Sequence, residues 1–508
     1  MRVFLFCLLL LGGSSIAQDK SAGSHDDAAA LTIYNQSFAV VRQSLPLELK
    51  NGTSQVEITD ITSHLEPDSV ILRDLKSGRD LRILEQNYRS DVASQGRLLA
   101  LYEGKTIEFL VADKDGNRKL MPGKIIRSGY IPHYEAYSGY GQQYYQSQQA
   151  YVAAGNGDPI IEIDGKLQFG LPGQPIFPAL SNDTILKPTL SWLLQSDHAG
   201  TSNAEFSYVT GGMSWHADYN VVAPVTGNLL DIVGWVTLDN QTGKTFPNAH
   251  IKLMAGDVNK LQPGMGMADS VSGGYAMRAE AAAPAVTERS FDEYHLYTLE
   301  RPATLYDRET KQVEFIRASG VPSQRIYVYD GAKIDQNFRG YAMEAIRDME
   351  NFGVQSNPKI WTMVEFKNSK ENHLGMPLPK GRVRFYRRDT DGQLEFTGEN
   401  LIDHTPGDET VRLYTGNVFD AVGERTRTSY HLDRNAHTID ESFQIKLRNH
   451  KKEPMDVRVV EHLYRWSNWD IAKNSDPFNK LDSKTMEFRV KVPPDGEKVM
   501  TYTAHYSW

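Results

Sequence analysis

Asn-Gly and Asp-Gly pairs recur along this chain and divide it into short stretches in which apolar and polar residues alternate. The pairs begin at Asn51, Asp115, Asp164, Asp330, Asp391 and Asp495. Glycine, asparagine and aspartate tolerate the positive φ that tight hairpin turns need. Such a pair lies between two alternating stretches in residues 160–169 and again in 383–396, so we predict a β-hairpin at each place.

The last part of the chain, residues 401–508, alternates most regularly. Its apolar positions at period two are Phe443, Ile445, Leu447, Met455, Val457, Val459, Phe488, Tyr502, Ala504, Tyr506 and Trp508. Strands of this length between glycine, proline and asparagine turns are typical of an antiparallel sandwich with one face in water. Helical periodicity is clearest in residues 341–351, where we predict a short helix. We therefore expect a mostly β protein of antiparallel β-sandwich domains with a flexible linker and few short helices.

The first 17 residues have the pattern of a secretory signal peptide. Arg2 precedes an apolar run over residues 3–11, and Ser15 and Ala17 are the small side chains that precede cleavage before Gln18. Cys7, the only cysteine, lies inside this signal. A lipoprotein signal would need that cysteine at the end of the apolar run. We expect an exported protein, periplasmic, cell-surface or secreted, with no disulfide and no thiol nucleophile.

The 508 residues are enough for two to four domains at roughly 150 residues each. Two segments of unusual composition guide the division: 129–151 is rich in tyrosine, and 263–290 is rich in glycine, alanine and methionine. Both are predicted to be loosely ordered insertions. The predicted parts are a flexible leader at 18–30, an N-terminal β domain at 31–195 that contains the tyrosine-rich insertion, a central β region at 196–262 and 291–400 interrupted by the linker 263–290, and a C-terminal β-sandwich at 401–508.

Composition and missing motifs exclude several functions. The formal net charge is −9 at pH 7, which disfavours nucleic-acid binding because phosphate contacts need a positive field. No apolar stretch after the signal approaches the roughly 18 residues of a membrane helix. The chain has no HExxH, GxSxG, P-loop or dinucleotide motif, so we assign no cofactor, metal or catalytic residue. The partner stays open, with an envelope polysaccharide or protein as the candidates.

The strongest candidate site lies in the sequence SWHADY, residues 214–219. His216 and Asp218 are two residues apart, so on a strand they share one face, as a metal or acid–base pair would. The alternative is a polar edge beside Trp215 and Tyr219, and we favour this simpler interpretation. All four residues are candidate binding residues.

Two further candidates, Trp466 and Trp469, lie in the sequence YRWSNWDI. Their rings could stack on the apolar face of a sugar. Large aromatic side chains more often fill cores, so packing at the end of a sandwich is the favoured interpretation.

Several stretches, taken together and in order, resemble a known family. They are residues 31–52, 187–194, 206–222, 292–305, 376–386 and 404–425. The set resembles a bacterial exported family defined by a domain of unknown function and similar to the C-terminal part of mucoidy-inhibitor-like proteins. The resemblance runs from Leu31 to Trp508, and the tyrosine-rich segment and the linker depart from it. It implies a β-rich protein with several sandwiches and carries over no catalytic residues. The linker shows no heptads, so the coiled-coil insert common in mucoidy-inhibitor-like relatives is absent or replaced.

The sequence therefore predicts an exported, non-catalytic envelope or surface protein that acts in binding or scaffolding. A carbohydrate-binding protein would instead present a planar row of exposed aromatic rings. A hydrolase would bring carboxylates or a His–Asp pair together in one cleft. An outer-membrane β-barrel is suggested by the aromatic alternation that ends at Trp508, although many strands lack a continuous lipid-facing band.

Overall fold

The structure is a computed structural model. It describes residues 28–74, 81–112, 116–130, 157–178, 184–256, 258–260, 286–333 and 347–508, with residues 146, 150, 180, 342 and 344 between them. The predicted signal peptide, most of the leader, most of the tyrosine-rich segment and residues 263–285 of the linker lie outside the described residues.

The regular secondary structure of the described residues is almost entirely β-strand. The helical elements include α1 (Gln95–Leu101), whose first turn is capped by Ser94, and single 3-10 turns at Pro67–Ser69 and Lys370–Asn372. In chain order the strands are β1 Ala30–Tyr34, β2 Phe38–Leu49, β3 Gly52–Thr59, β4 Ile71–Arg73, β5 Leu81–Arg89, β6 Thr106–Ala112, β7 Arg118–Arg127, β8 Ile160–Ile163, β9 Lys166–Phe169, β10 Gln174–Ile176, β11 Thr189–Ser196, β12 Gly200–Gly211, β13 Met213–Ala223, β14 Leu229–Asn240, β15 Phe246–Ala255, β16 Val286–Phe291, β17 Tyr294–Leu299, β18 Ala303–Leu305, β19 Glu309–Asp330, β20 Ala332–Lys333, β21 Gln355–Ser356, β22 Lys359–Lys367, β23 Gly381–Arg388, β24 Leu394–Ile402, β25 Thr410–Asp433, β26 Thr438–Asn449, β27 Met455–His462, β28 Trp469–Asn474, β29 Phe478–Lys480, β30 Thr485–Val492 and β31 Gly496–Ser507.

Two large sheets dominate the fold. The first has the order β16-β17-β15-β1-β2-β12-β4, with β18 beside β15. The second has the order β24-β23-β13-β14-β19-β22-β25-β26-β31-β28, and β27, β30 and β29 join it through β19. Most neighbours are antiparallel, but β1–β15, β13–β23 and β19–β27 are parallel. Smaller sheets have the orders β3-β11-β5, β10-β6-β7-β8-β9 and β20-β21.

The chain crosses from the first large sheet to the second at a glycine turn. Gly212 has a φ of +77°, and a Cβ on it would lie 2.9 Å from the carbonyl oxygen of Gln241. Only glycine adopts this conformation here without strain. The turn therefore places β13 in the second sheet, directly after β12 in the first.

The first sandwich core lies between these two sheets. Alternate residues of β13, such as Trp215, Tyr219 and Val221, are buried and pack with Ile251 and Leu253 of β15. This core joins residues from 29 to 413, so it draws on the predicted N-terminal and central regions together. The domain division itself stays a prediction.

The second sandwich core lies within the C-terminal part, between β25, β26 and β31 on one side and β27 and β30 on the other. The ring of Phe443 stacks on Tyr502 at 5.3 Å, and Phe488 lies 5.8 Å from Tyr502. All three side chains are buried. The aromatic layer holds the two faces of this sandwich together.

Comparison with the sequence predictions confirms the mostly β fold. Both predicted hairpins form, as β8–β9 and β23–β24. Two details differ. The linker ends earlier than predicted, because Val286 is buried and starts β16, which pairs with β17. Helix α1 was not predicted. The helix predicted at 341–351 falls partly outside the described residues, and Arg347 and Asp348 form a turn.

Among the described residues, none of the helices has the length and apolar character needed to cross a membrane.

Candidate functional site

The six predicted site residues lie in two separate places. Trp215, His216, Asp218 and Tyr219 are all on β13, whereas Trp466 follows β27 and Trp469 begins β28. Because side chains alternate along a strand, the four residues of β13 also point to opposite faces of the sheet. His216 and Asp218 lie on the face that carries a cleft, and Trp215 also borders that cleft.

Trp215 and Tyr219 are part of the first sandwich core. Each is 2% exposed. The indole nitrogen of Trp215 donates to the carbonyl oxygen of Met254 at 3.1 Å. The hydroxyl of Tyr219 donates to the carbonyl oxygen of Pro379 at 2.7 Å. Burial raises the pKa of Tyr219 well above its usual value. These two residues position the cleft: Tyr219 holds the backbone that leads into β23.

His216 and Asp218 form a pair on the opposite face. Nε2 of His216 lies 3.2 Å from Oδ2 of Asp218, which also accepts a hydrogen bond from Thr237 at 2.9 Å. Nη1 of Arg384 lies 3.5 Å from Oδ1. The Asp218 side chain is 12% exposed, while the His216 side chain is 53% exposed. The Asp218 carboxylate is therefore held in place by hydrogen bonds and its charge is balanced by Arg384, whereas the His216 imidazole faces solvent.

A cleft of about 680 Å³ opens over this pair. Its floor is the polar face of β23, β13, β14 and β19, and the turn between β1 and β2 forms one wall. Side-chain oxygens of Asn35 and Gln36, on this turn, are buried and accept no hydrogen bond from the described residues. The residues lining the cleft are Asn35, Gln36, Trp215, His216, Ala217, Asp218, Thr237, Asp239, Thr310, Gln312, Lys380, Gly381, Arg382, Arg384, Leu401 and His404.

Three cations from β23 and the residue before it give the cleft a positive side. Nζ of Lys380 is 3.8 Å from Asp403, and Arg384 is held loosely, at 3.5 Å from Asp218 and 3.8 Å from Glu399. Arg382 is exposed and has no ion-pair partner in the described part of the chain. Such loosely paired surface charges contribute little to stability, so they are available to a ligand.

Sequence reasoning did not find Lys380, Arg382 and Arg384. Their alternate spacing in KGRVRFY does predict one shared strand face. However, only the parallel pairing of β13 with β23, in which Asp218 lies opposite Arg382, brings that face to the His–Asp pair.

Trp466 and Trp469 pack at the end of the C-terminal sandwich. Trp469 is 8% exposed, and its indole nitrogen donates to the carbonyl oxygen of Ser483 at 2.7 Å. Trp466 is half-buried, and the guanidinium of Arg347 lies 4.9 Å from its ring. Neither residue lines the cleft, and the two rings do not form an exposed flat surface.

The chemistry available in the cleft is polar and ionic. Within the described part of the chain, no group of three or more histidine, cysteine, aspartate or glutamate side chains is placed to hold a metal ion. The hydroxyl of Thr237 donates its hydrogen bond to Asp218 and so stabilises that carboxylate. The site can bind an anion and hydrogen-bond a polar ligand, and the His216 ring faces solvent.

Comparisons of the chain with protein-family models, with curated proteins and with solved structures found no match. The family resemblance of the sequence therefore stays a prediction.

Proposed function

We propose that this protein is an exported, non-catalytic binding protein of the cell envelope or surface whose cleft holds a segment of an anionic polysaccharide. The observation that carries the proposal is the positive side of the cleft, formed by Lys380, Arg382 and Arg384. Arg382 has no ion-pair partner in the described part of the chain. The chain as a whole is acidic, so this is a local reversal of charge.

An anionic ligand fits the way the cations are held. Lys380 is 60% exposed and Arg384 is 33% exposed at the side chain, so water screens their present pairs. A carboxylate entering the cleft would displace some of that water and receive bidentate hydrogen bonds from a guanidinium. Binding of this kind weakens at high salt.

A ligand rich in hydroxyls fits the other lining groups. The carboxylates of Asp218 and Asp239 are hydrogen-bond acceptors, the side-chain oxygens of Asn35 and Gln36 are acceptors without a donor among the described residues, and Gln312 and the cations supply donors. Sugar hydroxyls both donate and accept, so they match such a mixture. The only large apolar side chain exposed in the lining is Leu401, which disfavours a protein partner anchored by aromatic residues.

Hydrolysis is the second candidate, because the His216–Asp218 pair lies in one cleft. An exposed imidazole that contacts a buried carboxylate is the geometry of a general acid–base pair. Stacking of a sugar on aromatic rings receives no such support, since Trp215 and Tyr219 face the core.

Export rests on the pattern of residues 1–17 and on the position of Cys7. N-terminal sequencing of protein recovered from the envelope or medium should begin at or near Gln18. Recovery from the cytoplasm with Met1 intact would remove this part of the proposal.

The binding proposal is tested by calorimetric titration of the mature chain with a uronic-acid tetrasaccharide and with a neutral tetrasaccharide of the same length. We expect binding of the acidic sugar only, with affinity falling as salt rises. Arg382→Gln should weaken it about tenfold, which is one charge-assisted hydrogen-bond pair. The matched control is Arg388→Gln, which removes an exposed charge outside the cleft.

Equal binding of the two sugars, or an equal loss in both variants, would overturn the proposal. Release of new reducing ends from the acidic sugar, abolished by His216→Gln, would replace binding by hydrolysis as the function.

A further inference from the structure

A second, smaller pocket lies at the other end of β23, where the second large sheet curls over on itself. The edge strand β24 lies against β25: the amide of Asn400 donates to the carbonyl oxygen of Tyr414 at 3.3 Å. Gly398 permits this approach, because a Cβ there would lie 2.8 Å from the carbonyl oxygen of Thr415. The curl brings β13, β14, β19, β22, β23, β24 and β25 around one opening.

The pocket measures about 190 Å³ and is lined without a single carboxylate. Its lining residues are Ala223, Gly227, Asn228, Leu230, Ser323, Arg325, Thr362, Val364, Phe385, Tyr386, Arg387, Thr397, Thr415, Gly416 and Asn417. Two arginines, five hydroxyl-bearing residues and two asparagines are among them. The lining therefore combines positive charge with neutral hydrogen-bond donors.

The two arginines come from different strands, Arg325 from β19 and Arg387 from β23. Nη1 of Arg387 donates to the carbonyl oxygen of Pro224 at 2.8 Å, which fixes its guanidinium at the pocket. Glu395 lies opposite Arg387 in the β23–β24 ladder. Within the described residues, however, neither arginine lies within ion-pair distance of a carboxylate. Two cations thus share one small cavity without an internal anion.

This arrangement leaves two like charges at the pocket without an internal counter-ion. Arg387 is half-buried, and burial, with a smaller effect from the charge of Arg325, lowers the pKa of its guanidinium. A like charge nearby disfavours the charged form of a group, and Arg387 is affected here because it is half-buried while Arg325 is exposed. An oxyanion placed between the two would balance their charge, because charge-assisted hydrogen bonds to guanidinium are among the strongest in proteins.

Neutral donors in the lining suit the same ligand. The hydroxyl of Ser323 donates to the carbonyl oxygen of Asn228 at 2.6 Å, and that of Thr415 to Thr362 at 3.2 Å, so these two stiffen the wall. Thr397 and Asn417 add side-chain donors on the β24–β25 side. Several donors that converge from different strands are characteristic of sites for tetrahedral anions.

We propose that this pocket binds a phosphate or sulfate group between Arg325 and Arg387. It uses none of the residues of the polysaccharide cleft, so it stands independently of the proposed function. The cavity is larger than the group itself, so the group can arrive as a free ion or as the terminal ester of a larger molecule.

The test is calorimetric titration of the mature chain with sodium phosphate and sodium sulfate, against sodium chloride at equal ionic strength. We expect saturable binding of phosphate or sulfate but not of chloride. Arg325→Gln and Arg387→Gln should each weaken it at least about tenfold. Arg388→Gln, one residue beyond Arg387 and outside the pocket, and Arg382→Gln in the cleft should leave it unchanged.

Glycerol 3-phosphate and glucose 6-sulfate distinguish the two sources of the group. Tighter binding of an ester than of the inorganic ion assigns the pocket to a larger molecule, and binding of the inorganic ion alone assigns it to a free ion. The proposal is overturned if neither ion nor ester binds, or if Arg325→Gln and Arg388→Gln have equal effects. Arg325 is exposed and makes no side-chain hydrogen bond within the described residues, so its variant decides the matter even if Arg387→Gln fails to fold.

Discussion

Arginine–carboxylate pairs occur in two regions of this protein, and their access to water differs sharply. In the C-terminal sandwich, Arg425 lies 2.9 Å from Glu461 with both side chains at most 1% exposed. In the cleft, Arg384 lies 3.5 Å from Asp218, and the arginine is 33% exposed. The same chemical groups are therefore sealed in one region and open in the other.

The sealed region contains a second pair, Arg465 with Glu441, which is 2.8 Å apart and fully buried. Arg465 also donates to the carbonyl oxygens of Met349 at 2.8 Å and Phe352 at 3.0 Å. Arg425 donates to Gly353 at 3.0 Å. We call residues 347–353 the strap. Its carbonyl groups are bound by buried arginines, so the network fastens the strap across the sandwich.

The buried arginines of the sealed region stay charged because each lies close to its glutamate partner. Burial by itself would lower the pKa of Arg425, but the carboxylate of Glu461, together with Tyr502 and Tyr464, outweighs it, and the pKa is raised well above the usual value. The hydroxyl of Tyr502 donates to the same carboxylate. Nε of Arg465 and Oε2 of Glu441 have no hydrogen-bond partner within the described residues, but both side chains are fully buried, so a ligand in solution does not reach them. In the cleft, by contrast, water screens the pairs and the cations stay available.

Breaking a pair in each region gives the largest expected difference. Arg425→Met should lower the free energy of unfolding by about 3–5 kcal/mol, because it leaves a buried carboxylate without its cation. Arg384→Met should lower it by at most about 1 kcal/mol, since its pair is partly exposed. Urea denaturation of the mature chain, followed by tryptophan fluorescence and circular dichroism, measures both.

The double variant Arg425→Met, Glu461→Gln is the control. Removing both charges should recover much of the stability lost in the single variant, because no buried charge is then unpaired. Similar losses for Arg425→Met and Arg384→Met would contradict the distinction between the two regions.

Removing a buried aromatic side chain near the sealed network should lower the free energy of unfolding by a comparable amount, and a residue on the opposite face of a neighbouring strand provides the control. Phe488→Ala should lower the free energy of unfolding by about 3–5 kcal/mol through lost burial and a residual cavity. Lys446→Ala, on the half-exposed face of β26, should change it by no more than about 0.5 kcal/mol. The same urea melts compare them. Equal effects would mean that the alternation does not set the packing of this sandwich.

This C-terminal sandwich was also the part most predictable from sequence. Phe443, Ile445 and Leu447 are buried as the alternation predicts, while Lys446 is half-exposed. The inward charges were missed, although they follow the same rule. Glu441 is two residues before Phe443 and so shares its buried face. A charged residue in phase with a buried apolar row is thus a sequence signal for a sealed network.

The cleft was only half predictable. His216 and Asp218 were expected to share a face, and they do contact each other. Their surroundings come from β23, where Gly381 pairs with Ala217 in a parallel ladder. These two strands are distant in sequence and are not joined by a hairpin, so neither local alternation nor a turn encodes their pairing. The cations, and therefore the ligand class, needed the structure.

The smallest expected effect concerns histidines, which occur beside aspartate in both regions. In the C-terminal sandwich, Nε2 of His462 lies 3.0 Å from Oδ2 of Asp330. This hydrogen bond, opposed by partial burial, raises the pKa of His462 above its usual value. A raised pKa in the folded state means that the charged form adds stability, which is complete below the unfolded value of about 6.5 and is lost as pH rises through the folded value.

The melting temperature of the wild-type chain should therefore exceed that of His462→Gln by more at pH 6 than at pH 8. The difference should be small, because the His462 side chain is 40% exposed. His250→Gln, at an exposed position of β15, should keep the pH dependence of the wild type. Thermal melts between pH 5.5 and about 8.5 span the usual histidine range and the raised one. If His462→Gln and wild type change in parallel over this range, the Asp330 contact does not hold the proton.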